Sequence, residues 1–387
     1  MDLNGLDCIV IGAGVGGLAT ALVLARHGAH VRVLEQAAQV REVGAGLQIS
    51  PNGFVVLNAL GLGDALRAVS VRGEAVQMRG HMGRPVLRVD LSPLPCGDYH
   101  FLHRADLIDI LAAGARAAGI DILLDQKVAA VVPGETPGVT DQDGQTRNAD
   151  LVIGADGLHS VARIALNGTS APFFTRQVAW RAVVPETGAA PEVDVYMGPH
   201  RHVVSYPLRG GKMRNIVAVQ ERADWAAESW SQEDDPQNLR AVFADFGAPV
   251  QALLSRVDKV NLWGLFRHPV ARNWHADGVA LVGDAAHPTL PFMAQGANMA
   301  LEDAWALGRM LASDGPLESR LSRYQAMRHH RVERVVATAN RNAKLYHLAF
   351  PPVRWAVQTG MRLCGAIAPG RMVGQFDWIY GYDVTQA

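Results

Sequence analysis

The sequence predicts an α/β fold: a Rossmann-like nucleotide-binding domain assembled from separated stretches of chain, an inserted β-rich domain, and a C-terminal helical segment. Three observations predict it. A glycine-rich turn joins a short apolar strand to a helix near the N-terminus, the texture changes to alternating β patterns between about residues 173 and 261, and a buried strand followed by a long helix then brings the first texture back.

In order along the chain, CIVIG is a short apolar strand, LATALVLARHG runs with helical periodicity, and HVRVLE alternates as a second strand, which makes a βαβ unit. Helix-to-strand alternation returns in LIDILAAGARAAGIDILLDQKV, with Gly119 where a helix stops. A turn-rich hairpin, TDQDGQTRNAD, leads into the buried strand LVIGAD. VDVYMG, RHVVSYPL and NIVAVQ alternate as strands of an antiparallel sheet. GVALVGD is again a buried strand, and ANMALEDAWALGRMLA a long helix. Residues 341–375, with Trp355 and breaks at Pro351, Pro352 and Pro369, read as helices packed on the body or on a second subunit, with membrane association as the alternative.

At 387 residues and 49% hydrophobic content the chain has ample material for a buried core. Lys+Arg 36 against Asp+Glu 37 leaves a net charge of -1, so no global field draws the chain to nucleic acid or an anionic membrane. Cys8, Cys96 and Cys364 are far apart and odd in number, which argues against a zinc framework or other metal site and fits a reducing cytoplasm. The uncharged run Cys8 to Ala25 approaches the length of a membrane span. It follows an acidic rather than basic start and is broken by four glycines, so no stable membrane insertion is expected.

Gly12, Gly14 and Gly17 form GxGxxG after a strand and at the opening of a helix, and Glu35 ends the second strand. Such glycines permit a tight turn, close approach of a pyrophosphate and close helix packing, while the helix N-terminus offers N–H groups and a positive dipole end. Glu35 suits the hydroxyls of a ribose. The pattern implies a bound dinucleotide and leaves FAD and NAD both open.

Three further strings bear on that choice: Arg41 with VGAGLQISPN after it, GADGLHSVAR with Asp156, and GDAAHPTLPFMAQGANMALEDA with Asp284. With these motifs in this order over essentially its whole length, the chain resembles the single-component (group A) FAD-dependent aromatic hydroxylases of the para-hydroxybenzoate hydroxylase fold, in particular the salicylate and 6-hydroxynicotinate hydroxylase branch. The resemblance implies an FAD-binding domain from residues 1–72, 101–172 and 262–340, a β-rich substrate domain from 73–100 and 173–261, and a C-terminal helical segment over 341–387. It also implies FAD held by Gly12, Gly14, Gly17, Glu35, Gln36, Arg41, Ala45, Gln48, Arg104, Val128, Asp156, Asp284, Gly296, Ala297 and Asn298. NADH or NADPH docks transiently in that family, reduces the flavin and leaves. Physically, a carboxylate at Asp284 after a strand can accept from sugar-alcohol hydroxyls, and the helix opening near Gln295-Gly296-Ala297-Asn298 can stabilise negative charge on a reduced flavin. Ala294 stands where many relatives have glycine, which bears on local loop geometry. Trp180-Arg181 resembles a pair at the start of the family's β-rich domain and reads as architectural.

On the substrate side, His202 and Tyr206 are four residues apart in RHVVSYPL, so a strand puts both on one face. Hydroxylases of the same branch carry a similar pair facing the substrate. In that family the oxygen donor, a flavin hydroperoxide, is electrophilic, so a phenolate reacts far better than a phenol. Ionising a phenol of pKa roughly 10 at neutral pH costs about 4 kcal/mol. A hydrogen bond to a charged group contributes roughly 1.5–3 kcal/mol, which falls short. A base is the more economical solution, and His202 is the candidate, with Tyr206 orienting the substrate or relaying the proton. Pro291 matches a family proline at the reacting edge of the flavin. Gln48 and Gln295 are candidates for lining the ring, His287 reads as holding its loop, and Arg181, Arg201, Arg209 and Arg214 are candidates for an aromatic carboxylate.

The expected activity is therefore hydroxylation of a small phenolic or hydroxylated heteroaromatic substrate with NAD(P)H and dioxygen, by a monomer or homodimer. A larger polycyclic substrate, a flavin dehydrogenase or oxidase, and a non-enzymatic flavin sensor are the alternatives. A halogenase is disfavoured by the absence of a WxWxI-like insert and of a lysine placed to relay hypohalous acid.

Overall fold

The structure, a computed structural model, describes residues 3–40, 45–92, 94, 96–223, 232–368, 370 and 374–387. Its first layer is a six-stranded sheet in the order His275–Ala276, Val279–Leu281, Leu151–Gly154, Asp7–Ile11, His30–Leu34, Asp121–Leu123. All neighbours are parallel except the short edge strand at 275–276. The central strands are continuous apolar runs because both faces are covered: Cys8, Ile9, Val10, Leu151, Val152 and Ile153 have no exposed surface. On one side the helix Val15–Arg26 packs against the helix Gly296–Leu311. Gly308 makes the approach possible, since a Cβ there would lie 2.2 Å from Val23 Cγ1.

The second layer is an eight-stranded sheet: Glu233–Asp234, Val260–Arg267, Phe173–Pro185, Met213–Glu221, Arg201–Leu208, Glu192–Gly198, Ala75–Gly80, Pro85–Asp90. Only the pairing of 192–198 with 75–80 is parallel. Residues 75–90 join this sheet from a distant part of the sequence. Three expected boundaries need correction, the first at 100/101, which falls inside the strand His100–His103, paired with Gly46–Ile49 rather than with the large sheet. The division at 261/262 falls inside the strand Val260–Arg267, whose pairing with Phe173–Pro185 continues to Arg267. The division at 340/341 falls inside a 30-residue helix, Leu317–Tyr346, which has no proline or glycine to stop it. A further helix, Pro351–Ile367, opens on the proline pair, where missing N–H groups cost nothing. Among the described residues no helix is long and apolar enough to cross a membrane.

A buried network of charges ties these parts together. Asp303 accepts from Arg328 Nε at 2.8 Å, from His287 Nε2 at 2.5 Å and from the Gly283 N–H at 3.0 Å. Glu302 accepts from Arg331 through two bonds of 2.8 Å and from Asn52 Nδ2 at 2.6 Å. Burial alone would raise Asp303; His287 and Arg328 outweigh it and hold the carboxyl at about 2. Glu302 is likewise held low by Arg328 and Arg331 against its burial.

Removing one member of a buried pair strands its partner's charge. Arg328→Met should therefore cost about 3–5 kcal/mol in urea denaturation. Because Asp303 is held below its ordinary value, its contribution is complete above about pH 4 and is lost as pH falls towards 2. The stability deficit of Arg328→Met relative to the parent should shrink over that window, and a deficit unchanged by acid would contradict this account.

Candidate active site

One elongated cavity of about 570 Å³ runs between the two sheets, from the first glycine-rich turn to the inner face of the large sheet. At its first end, Gly12 has φ +99°, and a Cβ there would sit 2.7 Å from the Ala155 carbonyl oxygen. Gly17 is not on the wall; a Cβ at this position would fall 1.9 Å from the Gly12 carbonyl oxygen, so it serves the packing of turn on helix. Gly14 lines the cavity, and a Cβ on it would meet no protein atom within 4 Å. The helix it opens has no side-chain cap. Glu35 lines the same end, its carboxylate accepting from the Ala13 N–H at 2.8 Å and the Ala37 N–H at 2.9 Å, and Gln36 lies beside it.

In the middle, Asp284 sits deep in the protein with its carboxylate exposed to the cavity. Burial raises its pKa, while His287 and Arg104 pull it back. Arg104 opens the helix Arg104–Ala117 and lines the cavity as well. The second uncapped helix opens at Gly296 and Ala297, both on the wall. The preceding Ala294 adopts φ +51°, ψ +35°, a left-handed conformation that costs a non-glycine residue roughly 1–2 kcal/mol. Asp156 reaches the wall, yet its carboxylate is bonded to Ser160 Oγ and the Val161 N–H at the start of the next helix.

Several expected contacts are placed elsewhere. Val128 lies in a separate strand off the cavity, packed in the core of the first layer. Ala45 is off the wall, but its carbonyl accepts the Arg104 N–H at 3.0 Å and so positions that arginine. The Asn298 side chain is fully buried and bonded to the Ser50 N–H and the carbonyls of Gln48 and Ala294; only its backbone can serve a ligand. Gln295 does not line the cavity, because its carboxamide is bonded to Asn52 and Ser50. His287 is fully buried against Asp303, holding the loop as expected. Arg41 lies outside the described residues.

At the far end the wall is apolar, with Val193, Val204, Val219, Leu290 and Phe292 among its residues. Pro291, Gln48, His202 and Tyr206 all line it. Gln48 accepts from Tyr99 Oη at 2.8 Å. Burial raises the Tyr206 phenol, against the nearby Arg181. His202 is buried and its Nδ1 lies 2.6 Å from Nε2 of His347, a bond 145 residues distant in sequence. Burial, and then His347, push His202 well below its ordinary value. Tyr206 takes no part in that bond. At about 3.3 Å per residue the two Cα atoms are about 13 Å apart, so they address different parts of a ligand.

Of the four arginines considered for a carboxylate, only Arg181 lines the cavity, stacked 4.6 Å from the Trp263 ring. Its neighbour Trp180 points the other way and donates to Asp234 at 2.7 Å, so the pair is architectural on one face only. Arg201, Arg209 and Arg214 are bonded to Asp245, Asp106 and Glu186. Sequence reasoning missed the C-terminal contributions: Asn342, Tyr346, Phe376 and Tyr380 line the cavity, and His347 stands behind it. No local pattern marks them, because each is brought in by the docking of helices.

The turn at Gly12–Gly14, the carboxylates at Glu35 and Asp284, and the two uncapped helix starts lie along one continuous space. This is the donor and acceptor order that FAD requires, from diphosphate through sugar alcohol to isoalloxazine. Residues 5–339 match the sequence profile of a family described as FAD binding domain. The chain is 36% identical over 357 residues to 3-amino-4-hydroxybenzoate 2-monooxygenase of Streptomyces cremeus, covering 89% of this chain and 88% of that one. It is 32% identical to 3-hydroxybenzoate 6-hydroxylase of Klebsiella oxytoca, with 97% of each covered. Among solved structures, Klebsiella pneumoniae HpxO complexed with FAD and uric acid superposes with a TM-score of 0.85 at 25% identity, over 96% of this chain and 97% of that one. A salicylate hydroxylase substrate complex gives 0.82 at 25% identity, over 98% and 96%.

Because Gly14 has open space where its side chain would be, Gly14→Val should leave the fold intact and obstruct the diphosphate. FAD affinity, read from the visible flavin absorbance retained on dialysis, should fall at least about tenfold, equivalent to roughly 1.4 kcal/mol. Undiminished flavin retention would place the diphosphate elsewhere.

Proposed function

Because the chain belongs to the FAD binding domain family, and within it to the single-component FAD-dependent aromatic hydroxylases, we propose that it hydroxylates a small, carboxylated phenol of the hydroxybenzoate class in a reducing cytoplasm. The observation that carries this reading is the far end of the cavity: an apolar slot with one buried histidine, His202, on its wall and one arginine, Arg181, among its lining residues. The relatives acting on 3-hydroxybenzoate and 3-amino-4-hydroxybenzoate support that substrate class. FAD and substrate share one cavity, which favours a single ring over a polycyclic ligand.

When bound, FAD supplies the meeting point of NAD(P)H electrons and dioxygen, and with it an electrophilic oxygen. Gly12, Gly14, Glu35, Gln36, Arg104 and Asp284 would hold it, with the N–H groups of Gly296 and Ala297 at its pyrimidine edge. The chain's own contribution to the chemistry lies at the other end. Apolar side chains exclude water, Pro291 stiffens the loop beside the reacting edge, and Tyr206 with Arg181 orients the ring. His202 removes the phenolic proton, so that the ring becomes electron-rich where oxygen is delivered. Held below its ordinary pKa, His202 is neutral at pH 7, as a proton acceptor must be.

The test is NAD(P)H oxidation with candidate hydroxybenzoates, with labelled dioxygen traced into the product. Substrate-stimulated oxidation with label in the ring is expected; hydrogen peroxide without ring label would make the protein an oxidase. His202→Ala should lower hydroxylation at pH 7 by roughly 10²–10⁴-fold. The loss should diminish as pH rises towards the phenol's own pKa of about 10, where the solvent ionises the substrate unaided. A pH profile parallel to the parent's would remove His202 from this role.

A further inference from the structure

A histidine whose burial disfavours its charged form cannot keep the proton it takes, and the slot around His202 is apolar. The groups behind it resolve this difficulty. His202 Nδ1 lies 2.6 Å from His347 Nε2, His347 Nδ1 lies 2.9 Å from Glu221 Oε1, and Glu221 Oε2 lies 2.6 Å from Nδ1 of His200. Exposure rises along this line: the side chain of His347 is 1% accessible, Glu221 39% and His200 62%. The line begins at the cavity wall and ends in solvent.

The carboxylate also gives the line a direction. Ionised Glu221 only accepts, so His347 carries a proton on Nδ1, and in its neutral form it presents a lone pair at Nε2. That lone pair in turn requires His202 to carry its proton on Nδ1. The nitrogen of His202 left for the cavity, Nε2, is then the acceptor that the base needs. Glu221 suits this role: hydrogen bonds from His347, then burial in the opposite sense, then His200, leave it at about 2, so it is ionised at any pH of interest. The backbone holds the three elements in register, with the His200 N–H on the His347 carbonyl at 3.1 Å and the Glu221 N–H on the His200 carbonyl at 2.9 Å. Among the described residues, the other rings against His202 are those of Phe292 and Tyr346, which add no charge at neutral pH. His200 itself takes a left-handed turn conformation, φ +59°, that brings its ring back to Glu221.

We propose that His347 and Glu221 are positioning residues that set the tautomer of His202 and carry the substrate's phenolic proton out to solvent. This rests on His202 being the base. The balance is simple: the phenol O–H proton passes to His202 Nε2, the Nδ1 proton of His202 to His347 Nε2, and the Nδ1 proton of His347 to Glu221, which releases it to water. One proton leaves the site, the substrate stays as phenolate, and nothing is oxidised or reduced.

The experiment uses the FAD-loaded protein without NAD(P)H, mixed rapidly with 3-hydroxybenzoate in weak buffer containing a pH indicator. Phenolate absorbance and proton release should appear together in the parent. Glu221→Gln, which can still accept from His347 but cannot readily take a proton, and His347→Gln should slow proton release by about 10²-fold while benzoate, which has no hydroxyl, binds as before. Glu221→Asp should recover most of the rate. If His202→Ala abolishes phenolate formation and both glutamine variants release protons at the parent rate, the relay is overturned while the base stands. If His202→Ala still forms phenolate, the base itself is wrong. Nitrogen-15 spectra of the unaltered protein provide a check that needs no variant: His347 should be the Nδ1–H tautomer, and an Nε2–H tautomer would overturn the proposal.

Discussion

The constraint on which the site depends is the ionised carboxylate of Asp303, fully buried between Arg328 and His287. It is on the helix that opens at Gly296, and it grips the Gly283 N–H one residue before Asp284. One side chain therefore fixes the spacing between the Asp284 carboxylate and the helix start at Gly296, the two groups proposed to hold the flavin. Its neighbour Glu302 does the same for the helix Pro51–Ala59 through Asn52, and for the C-terminal residues through Arg331, which also donates to the Trp378 carbonyl at 2.6 Å. Such a network is a costly way to stabilise a protein, since apolar residues of equal volume can do as well. What it supplies here is direction: paired buried charges tolerate one arrangement, whereas apolar contacts tolerate several.

The two ends of the cavity solve opposite problems. In the proposed reading the first end meets a dianionic diphosphate with backbone, at a turn where Gly12 and Gly14 present no side chain. The second end must be dry, and it is made of strand residues of the large sheet closed by Phe292, Tyr346 and the C-terminal aromatics Phe376 and Tyr380. The middle carries the strain. Ala294 accepts a left-handed backbone immediately before the helix start, where glycine would adopt it freely, and the buried bonds of Gln295 and Asn298 that follow it hold it there.

What could be read from the sequence divides along the same line. The glycine turn, Glu35, Asp284 and the Gly296–Ala297 helix start were legible as parts of one cavity wall because each is a local pattern. His202 and Tyr206 were legible as one face of a strand, although a shared face does not bring two side chains to the same atom of a ligand. Gln295 and Val128 were misplaced because a motif string does not tell which side chains turn towards the ligand and which lock the loop. His347 and Glu221 left no trace: one ends a helix, the other a strand, and only the docking of Leu317–Tyr346 against the large sheet brings them together. Of the stretch 73–100 assigned to the β-rich layer, the strands at 75–80 and 85–90 lie in it, but the edges at 100, 261 and 340 were not legible, since pairing and helix propagation continue past the change of texture.

A dry pocket makes the first step of this chemistry harder before it makes the later ones easier. Removing water disfavours the phenolate as much as it disfavours the histidinium, so a buried phenol and a buried neutral histidine have little reason to exchange a proton. Leaving the pocket wet would ease ionisation but expose the reactive oxygen donor to solvent. The structure separates the two requirements in space. The slot stays apolar, while the charge that favours proton departure, Glu221, stands two hydrogen bonds away at the edge of solvent, linked by imidazoles that can pass a proton without either retaining charge. On this account the exclusion of water and the presence of an anchored exit are one design, and a relative that kept the dry slot but lost the carboxylate would need another route for the same proton.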